Sequence, residues 1–158
     1  MKKIVLAAAL VALSSGAAHA ATATGSATAT IVTPIAISHA SGATLDFGTF
    51  DAGTGGSVSV SQGGVGSVGG GVLFVSGNAN SADAFNVTGE GSRAFNISTT
   101  SGTVSNGSVT MAFTTSAPAS GTLVSGSASF NVGGSLTVAS GQATGTYTGS
   151  YNATVVYQ

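Results

Sequence analysis

The ionisable side chains are the first candidates for chemistry, and the sequence contains few of them. Beyond residue 20 there is one histidine, His39, and one basic side chain, Arg93. The carboxylates are Asp46, Asp51, Asp83 and Glu90. Glycoside hydrolysis needs two carboxylates in a defined pair, and calcium binding needs several oxygen ligands together. The spacing of these four predicts neither arrangement, so we expect no acid–base pair and no metal site.

Nucleophilic catalysis would depend on His39, because the sequence has no cysteine and a serine needs a base beside it. His39 lies in the run Ser-His-Ala-Ser-Gly, whose residue types are typical of a turn. A single histidine in a loop is usually solvated. We therefore expect no catalytic residue, no cofactor and no enzymatic activity.

The run GVGSVG at residues 64–69 matches the G-x-G-x-x-G fingerprint of dinucleotide-binding proteins. That fingerprint functions only where the glycines lead into a helix whose N-terminus meets the pyrophosphate. Here the next residues read GGVLFVSG, which predicts a strand. We interpret the run as a glycine-rich loop.

The charge balance excludes one class of partner. A single arginine beyond residue 20 cannot neutralise a row of phosphates, so we expect no nucleic-acid partner. Charged residues make up 4% of the chain. Little electrostatic repulsion therefore opposes self-association.

Residues 1–20, MKKIVLAAALVALSSGAAHA, combine two lysines, an apolar run and an Ala-His-Ala exit. This is the pattern of a Sec signal peptide that is cleaved after Ala20. The apolar run is too short to stay behind as a transmembrane anchor. We expect export by the Sec pathway, transit through the periplasm, and a final location at the cell surface or outside the cell.

An alternating stretch follows the signal peptide, and residues 28–38 predict a strand. Pro34 interrupts this stretch, and a proline belongs at a strand edge or at a break because it lacks an amide donor. We therefore divide the exported chain into an N-terminal extension, residues 21–33, and a domain, residues 34–158. In the extension, Ala27, Ala29 and Ile31 fall on one face.

Residues 145–157 predict a long strand near the end of the chain, with alternate residues on one face. That face comprises Gly145, Tyr147, Gly149, Tyr151, Ala153, Val155 and Tyr157. A strand with nothing after it leaves a free edge or groove nearby, which invites pairing with another chain.

Between these two segments the sequence predicts an antiparallel β-sandwich, because short strand-like runs alternate with Gly, Ser and Asn. The strongest hairpin signal is Asn106-Gly107, which suits a type I′ turn. Weaker hairpin signals lie at residues 132–135 and 88–91. The predicted core comprises Leu45, Phe47, Phe74, Phe85, Phe95, Ile97, Phe113, Phe130, Leu136 and Tyr151.

Three features together resemble a chaperone–usher pilin subunit. They are the alternating extension, the segment LDFGTF at residues 45–50, and the C-terminal segment with Tyr157 next to last and Gly145 fourteenth from the end. LDFGTF is also similar to a strand of spore coat protein U-like domains. The segments ATAT, VTPI, LDFGTF and VGGSLTVASGQATGTYTG resemble a family of small secreted bacterial proteins called domain of unknown function 4402.

The pilin resemblance implies an immunoglobulin-like sandwich that lacks one strand and assembles by donor-strand exchange. A periplasmic chaperone would lend a strand, and the extension of the next subunit would replace it at an outer-membrane usher. Ala27, Ala29 and Ile31 would enter the groove. Its acceptor and chaperone-binding strand would carry Gly145, Tyr147, Tyr151, Val155 and Tyr157. The disulfide of many pilins is missing, since the chain has no cysteine. The alternative is a monomeric extracellular or cell-surface module with a complete sandwich, similar to an adhesin.

Overall fold

A computed structural model describes residues 20–158, and all its regular elements in that range are β-strands. Within the same range no helix has the length and apolarity to cross a membrane. The chain divides into two units, one ending at Ile31 and one spanning Val32–Gln158. Residues 20–31 form no strand and are exposed. The predicted signal peptide falls on residues outside the described range, apart from Ala20.

The second unit contains thirteen strands. They are β1 (Ala36–His39), β2 (Phe50–Asp51), β3 (Gly56–Val60), β4 (Gly66–Gly70), β5 (Leu73–Phe74), β6 (Asp83–Thr88), β7 (Ala94–Thr99), β8 (Gly102–Asn106), β9 (Val109–Ser116), β10 (Ser120–Thr122), β11 (Ser127–Val138), β12 (Thr148–Gly149) and β13 (Ala153–Tyr157).

The largest sheet is organised around β11. The first half of β11 pairs with β6, its second half pairs with β3, and β9 lies on its other side. The sheet order is β1-β6-β11-β9-β8-β12, and β4 extends it beyond β3. A second sheet has the order β10-β7-β13, and β2 pairs with β5. All pairings are antiparallel, which confirms the predicted all-β sandwich class.

Two hydrophobic clusters fill the interior. The first contains Phe47, Val58, Val60, Val72, Met111, Phe113, Leu136 and Val138. The second contains Val87, Phe95, Ile97, Leu123, Phe130, Val132 and Val155. Tyr151 packs against both clusters. Six of the ten predicted core residues are buried, and the other four, Leu45, Phe74, Phe85 and Tyr151, are half-buried.

The hairpin predicted at residues 132–135 is wrong, because β11 runs straight through Gly133 and Gly134. Here the strand changes partners from β6 to β3, and its pairing with β9 begins. A Cβ atom on Gly134 would lie 2.5 Å from the carbonyl oxygen of Thr114. The glycine pair therefore permits close strand packing rather than a turn.

The predicted Asn106-Gly107 hairpin is confirmed and joins β8 to β9. Its loop consists of Gly107 and Ser108, since Asn106 is paired with Val109. Only Gly107 has a positive φ, 62°. This is the pattern of a type II′ turn, so the predicted type I′ turn is wrong by one position.

Three other strand predictions need correction. The strand predicted at residues 28–38 is limited to Ala36–His39, and the segment before Pro34 forms no strand. Residues 88–91 do not form a hairpin, because β6 and β7 belong to different sheets. The segment 145–157 is broken into β12 and β13. The break is at residues 150–152, after the chain leaves the large sheet, and there the Asn152 amide donates to Thr100 Oγ1 at 3.0 Å.

Candidate functional site

A groove of about 1290 Å³ in the Val32–Gln158 unit is the candidate site. One wall is the segment 43–52 and the other is the segment 142–151. Its floor includes Met111, Phe113 and Leu136, which belong to the first hydrophobic cluster. The groove is therefore a strand-shaped gap that lies over a packed core.

The first wall is fixed from its outer side. Asp46 exchanges two backbone hydrogen bonds with Ser81, of 2.9 and 3.2 Å. The amide of Thr49 donates to Asn78 Oδ1 at 2.7 Å, and Asn80 Nδ2 donates to the Phe47 carbonyl at 2.7 Å. These bonds hold the wall against the 78–81 segment and leave its inner side facing the groove.

The second wall is fixed in part by Tyr147. Its hydroxyl donates to the Ala143 carbonyl at 2.8 Å and accepts a bond from Gln142 Nε2 at 3.0 Å. Gly145 adopts φ 144°, and a Cβ atom there would collide with the side-chain amide of Asn106. Glycine is therefore required at this position. Beyond it, β12 pairs with β8 and anchors the wall to the large sheet.

Both walls carry peptide groups without backbone partners. Within residues 20–158, Leu45 on one wall and Tyr147 and Tyr151 on the other make no backbone–backbone hydrogen bond. In an antiparallel pair, successive residues direct their peptide groups to opposite sides. Because Asp46 is bonded outward to Ser81, this alternation predicts that the neighbouring Leu45 directs its peptide groups toward the groove. Two facing edges with free donors and acceptors can bind an extended chain.

A polar cluster around the buried Asp83 closes one end of the groove. Asp83, on β6, is 5% exposed. Its Oδ1 atom lies 2.6 Å from His39 Nε2 and accepts the Ala84 amide at 2.8 Å. Its Oδ2 atom accepts the Tyr151 hydroxyl at 2.7 Å. A carboxylate removed from water is costly unless it has such donors, and here they come from β1, β6 and the second wall.

Burial raises the pKa of the Tyr151 hydroxyl, and the hydrogen bond to Asp83 and the charge of Asp83 raise it further. The hydroxyl therefore stays protonated and keeps donating to the carboxylate. The hydroxyl proton of Tyr151 is used in this structural hydrogen bond to Asp83. The ring of Tyr151 also meets Phe85 and Phe113 edge-on, with centroids 6.2 Å away in each case.

The structure divides the residues predicted from sequence into three groups. Gly145, Tyr147 and Tyr151 line the groove. Val155 and Tyr157 lie on β13 and pack with the second hydrophobic cluster, away from the groove lining. The candidate donor residues Ala27, Ala29 and Ile31 belong to the first unit. All three are exposed, and the exposed fraction of Ile31 is 98%.

Sequence reasoning missed the pairing of His39 with Asp83. The prediction of a solvated loop residue is wrong only about the loop: the His39 side chain is 50% exposed, but it ends β1, and its ring meets Phe85 edge-on with centroids 5.2 Å apart. One signal was present. Asp83 shares its parity with Phe85 and Val87, so the alternation of β6 places the carboxylate on the core side.

The sequence model of the family called Domain of unknown function (DUF4402) matches residues 35–157. The chain belongs to this family. No curated protein and no solved structure matches the chain. The match covers both walls of the groove and all strands, so the groove is part of the DUF4402 domain. The extension lies before the matched residues.

Proposed function

We propose that this chain is a secreted structural subunit, similar to a pilin, that assembles by donor-strand exchange with copies of itself or with homologous subunits. The observation that carries the proposal is the groove with free peptide groups on both walls, at Leu45, Tyr147 and Tyr151. An added strand would pair with both edges, which supplies affinity through the main chain. It would give the domain the remaining strand of an immunoglobulin-like sandwich.

The extension has the properties of a donor for such a groove. Residues 20–31 form no strand of their own, so their peptide groups are free to pair. The groove floor is already filled, with Phe113 4% and Leu136 2% exposed. A packed floor leaves most room for small side chains. Ala27 and Ala29 are such side chains, and Ile31 supplies a single larger anchor.

Assembly of this kind needs protection before exchange. The signal sequence supports export through the Sec pathway and transit through the periplasm. There a chaperone would lend a strand to the groove, and an outer-membrane usher would exchange it for the extension of the next subunit. The assembled product would lie at the cell surface or outside the cell.

The second candidate is a monomeric extracellular or cell-surface binding module, similar to an adhesin. The packed floor favours it, because a single copy already covers its core. Exposed polar side chains also line the groove, among them Asp46, Asp51 and Thr146. Such a rim offers hydrogen bonds to a neutral ligand.

The decisive experiment compares surface material from wild type and from a chain that lacks residues 21–33. Unboiled samples are run on SDS gels, because strand-complemented polymers resist SDS at low temperature. We expect a ladder from wild type and none from the deletion. In a mixture, the deleted chain should accept a donor strand and terminate the wild-type polymers.

Two outcomes would overturn the assembly proposal. One is a wild-type protein that is a stable monomer without a chaperone and gives no ladder. The other is a deletion that polymerises as well as wild type. The first result would leave the monomeric binding module as the function of the groove, and the second would show that polymerisation does not use the extension.

A further inference from the structure

Both backbone groups of one residue, Thr33, are held at the boundary between the extension and the domain. The Thr33 amide donates to Glu90 Oε2 at 3.0 Å. The Thr33 carbonyl accepts the Tyr157 hydroxyl at 2.8 Å. The same hydroxyl accepts the Glu90 amide at 2.6 Å. Three residues that are distant in sequence thus close a ring of hydrogen bonds around a single peptide segment.

Nearby charge supports this ring. The hydrogen bond from Thr33 lowers the pKa of the Glu90 carboxyl, and the positive charge of Arg93 adds to the effect. The guanidinium carbon of Arg93 also lies 5.6 Å from the centroid of the Tyr157 ring. This is within the range of a cation–π contact. Arg93 therefore supports both partners of Thr33.

We propose that Tyr157 and Glu90 form a clamp on Thr33 that fixes the length of the donor strand. This inference rests on the proposed function of the extension. Tyr157 then acts as a positioning residue on the donor side of the subunit, not as part of the groove wall.

The clamp sets the reach of the extension. With Thr33 held, residues 21–32 are free, and twelve extended residues span about 40 Å. If the clamp opens, residues 33 and 34 can leave the domain, whereas Ile35 stays packed against the second hydrophobic cluster. Two more residues add about 7 Å. The clamp therefore keeps neighbouring subunits close and restricts the register at which Ala27, Ala29 and Ile31 enter the groove.

The first test measures amide hydrogen exchange in the full exported chain. Tyr157→Phe keeps the ring over Arg93 but removes the hydroxyl. The Glu90 amide loses its acceptor in this variant, so faster exchange of the Glu90 amide is expected with or without a clamp and does not test it. If the ring of bonds acts as one clamp, the Thr33 amide should also exchange about fivefold to tenfold faster, although it does not contact Tyr157.

Matched variants identify the cause. Glu90→Ala removes the acceptor of the Thr33 amide and should release it. Glu90→Gln keeps an acceptor oxygen and should leave Thr33 exchange close to wild type at neutral pH. Tyr147→Phe, a tyrosine change away from the clamp, should have no effect on Thr33. Unchanged Thr33 exchange in Tyr157→Phe would overturn the clamp.

The second test measures spacing in the assembled material. The chain has no cysteine, so Ser101→Cys provides one exposed attachment point for a spin label on each subunit. Tyr157→Phe should lengthen and broaden the distances between neighbouring labels by up to about 7 Å. Equal distance distributions in the two proteins would overturn the role in spacing. A wild type that never assembles would instead refute the proposed function, and the exchange data would still decide whether the clamp exists.

Discussion

The Tyr151 hydroxyl donates a 2.7 Å hydrogen bond to Oδ2 of Asp83, and this bond joins the second groove wall to β6. It lies where the two hydrophobic clusters meet, because Tyr151 packs against both. The bond therefore couples the shape of the groove to the packing of the whole domain.

Tyr151→Phe should lower the free energy of unfolding by about 1.5–3 kcal/mol, because it removes one donor from a buried carboxylate. Chemical denaturation of residues 21–158 measures this. Tyr147→Phe is the matched control, since that hydroxyl bonds to the adjacent Ala143 carbonyl. The control should cost about 1 kcal/mol or less. Equal losses in the two variants would contradict a special role for the Asp83 bond.

Ile31→Asp should abolish the SDS ladder. The proposed donor strand places this side chain in an apolar groove, where an unpaired carboxylate is costly. Thr30→Asp adds the same charge to the opposite face and should still give a ladder. If Thr30→Asp and Ile31→Asp behave alike, the assigned face of the donor strand is wrong.

Gly134→Ala should destabilise the domain by about 1–3 kcal/mol. Its new methyl group would lie 2.5 Å from the Thr114 carbonyl oxygen and would separate β11 from β9. Gly63→Ala is the control, because its nearest neighbour is Ser61 Oγ at 3.7 Å and no clash arises. Thermal unfolding followed by circular dichroism compares the two, and a neutral Gly134→Ala would show that the strands can separate without cost.

Acid should loosen the N-terminal boundary of the domain. The pKa of Glu90 is lowered from its ordinary value of 4.5, chiefly by the hydrogen bond from Thr33. A lowered pKa in the folded state means that the carboxylate stabilises the fold above pH 4.5. This stabilisation is lost as the pH falls through the lowered value.

The measurement is Thr33 amide exchange, corrected for its intrinsic pH dependence, in wild type and in Glu90→Gln between pH 6 and pH 2. Protection in wild type should fall in the acid part of this range. Glu90→Gln has no proton to gain and should show no such step. A step of the same size in both proteins would assign the pH dependence to another group.

Mass spectrometry of the exported protein should find Ala21 at its N-terminus. The Ala-His-Ala exit at residues 18–20 is the reason for this expectation. Intact Met1 in the envelope fraction would refute the predicted cleavage.

The fold class was predictable because alternation is a local signal. The predicted inward face of residues 145–157 comprises the odd-numbered residues of this segment. In the structure its three tyrosines, Ala153 and Val155 are buried or half-buried on both sides of the break. Gly133 and Gly134 were misread for the opposite reason. Two glycines satisfy the local chemistry of a turn, but β11 stays extended because β9 and β3 pair with it from outside its own segment.

The site was less predictable because the residues that hydrogen-bond to one another there are far apart in sequence. His39 and Asp83 are 44 residues apart, and Tyr157 and Thr33 are 124 residues apart. No spacing rule connects such residues before the topology is known. The sequence pointed to one wall of the groove through its alternation, whereas the polar end and the Thr33 clamp depend on tertiary pairing.

The position of β11 in the chain has a consequence for folding kinetics. The hydroxyls of Ser59 and Ser135 meet across β3 and β11 at 2.9 Å, a separation of 76 residues. Strands β3 and β6 therefore remain without their main partner until residues 127–138 have been synthesised. Pairing between strands so far apart in sequence slows folding. The large sheet can therefore close only after β11 has emerged, and the earlier strands stay unpaired with it until then.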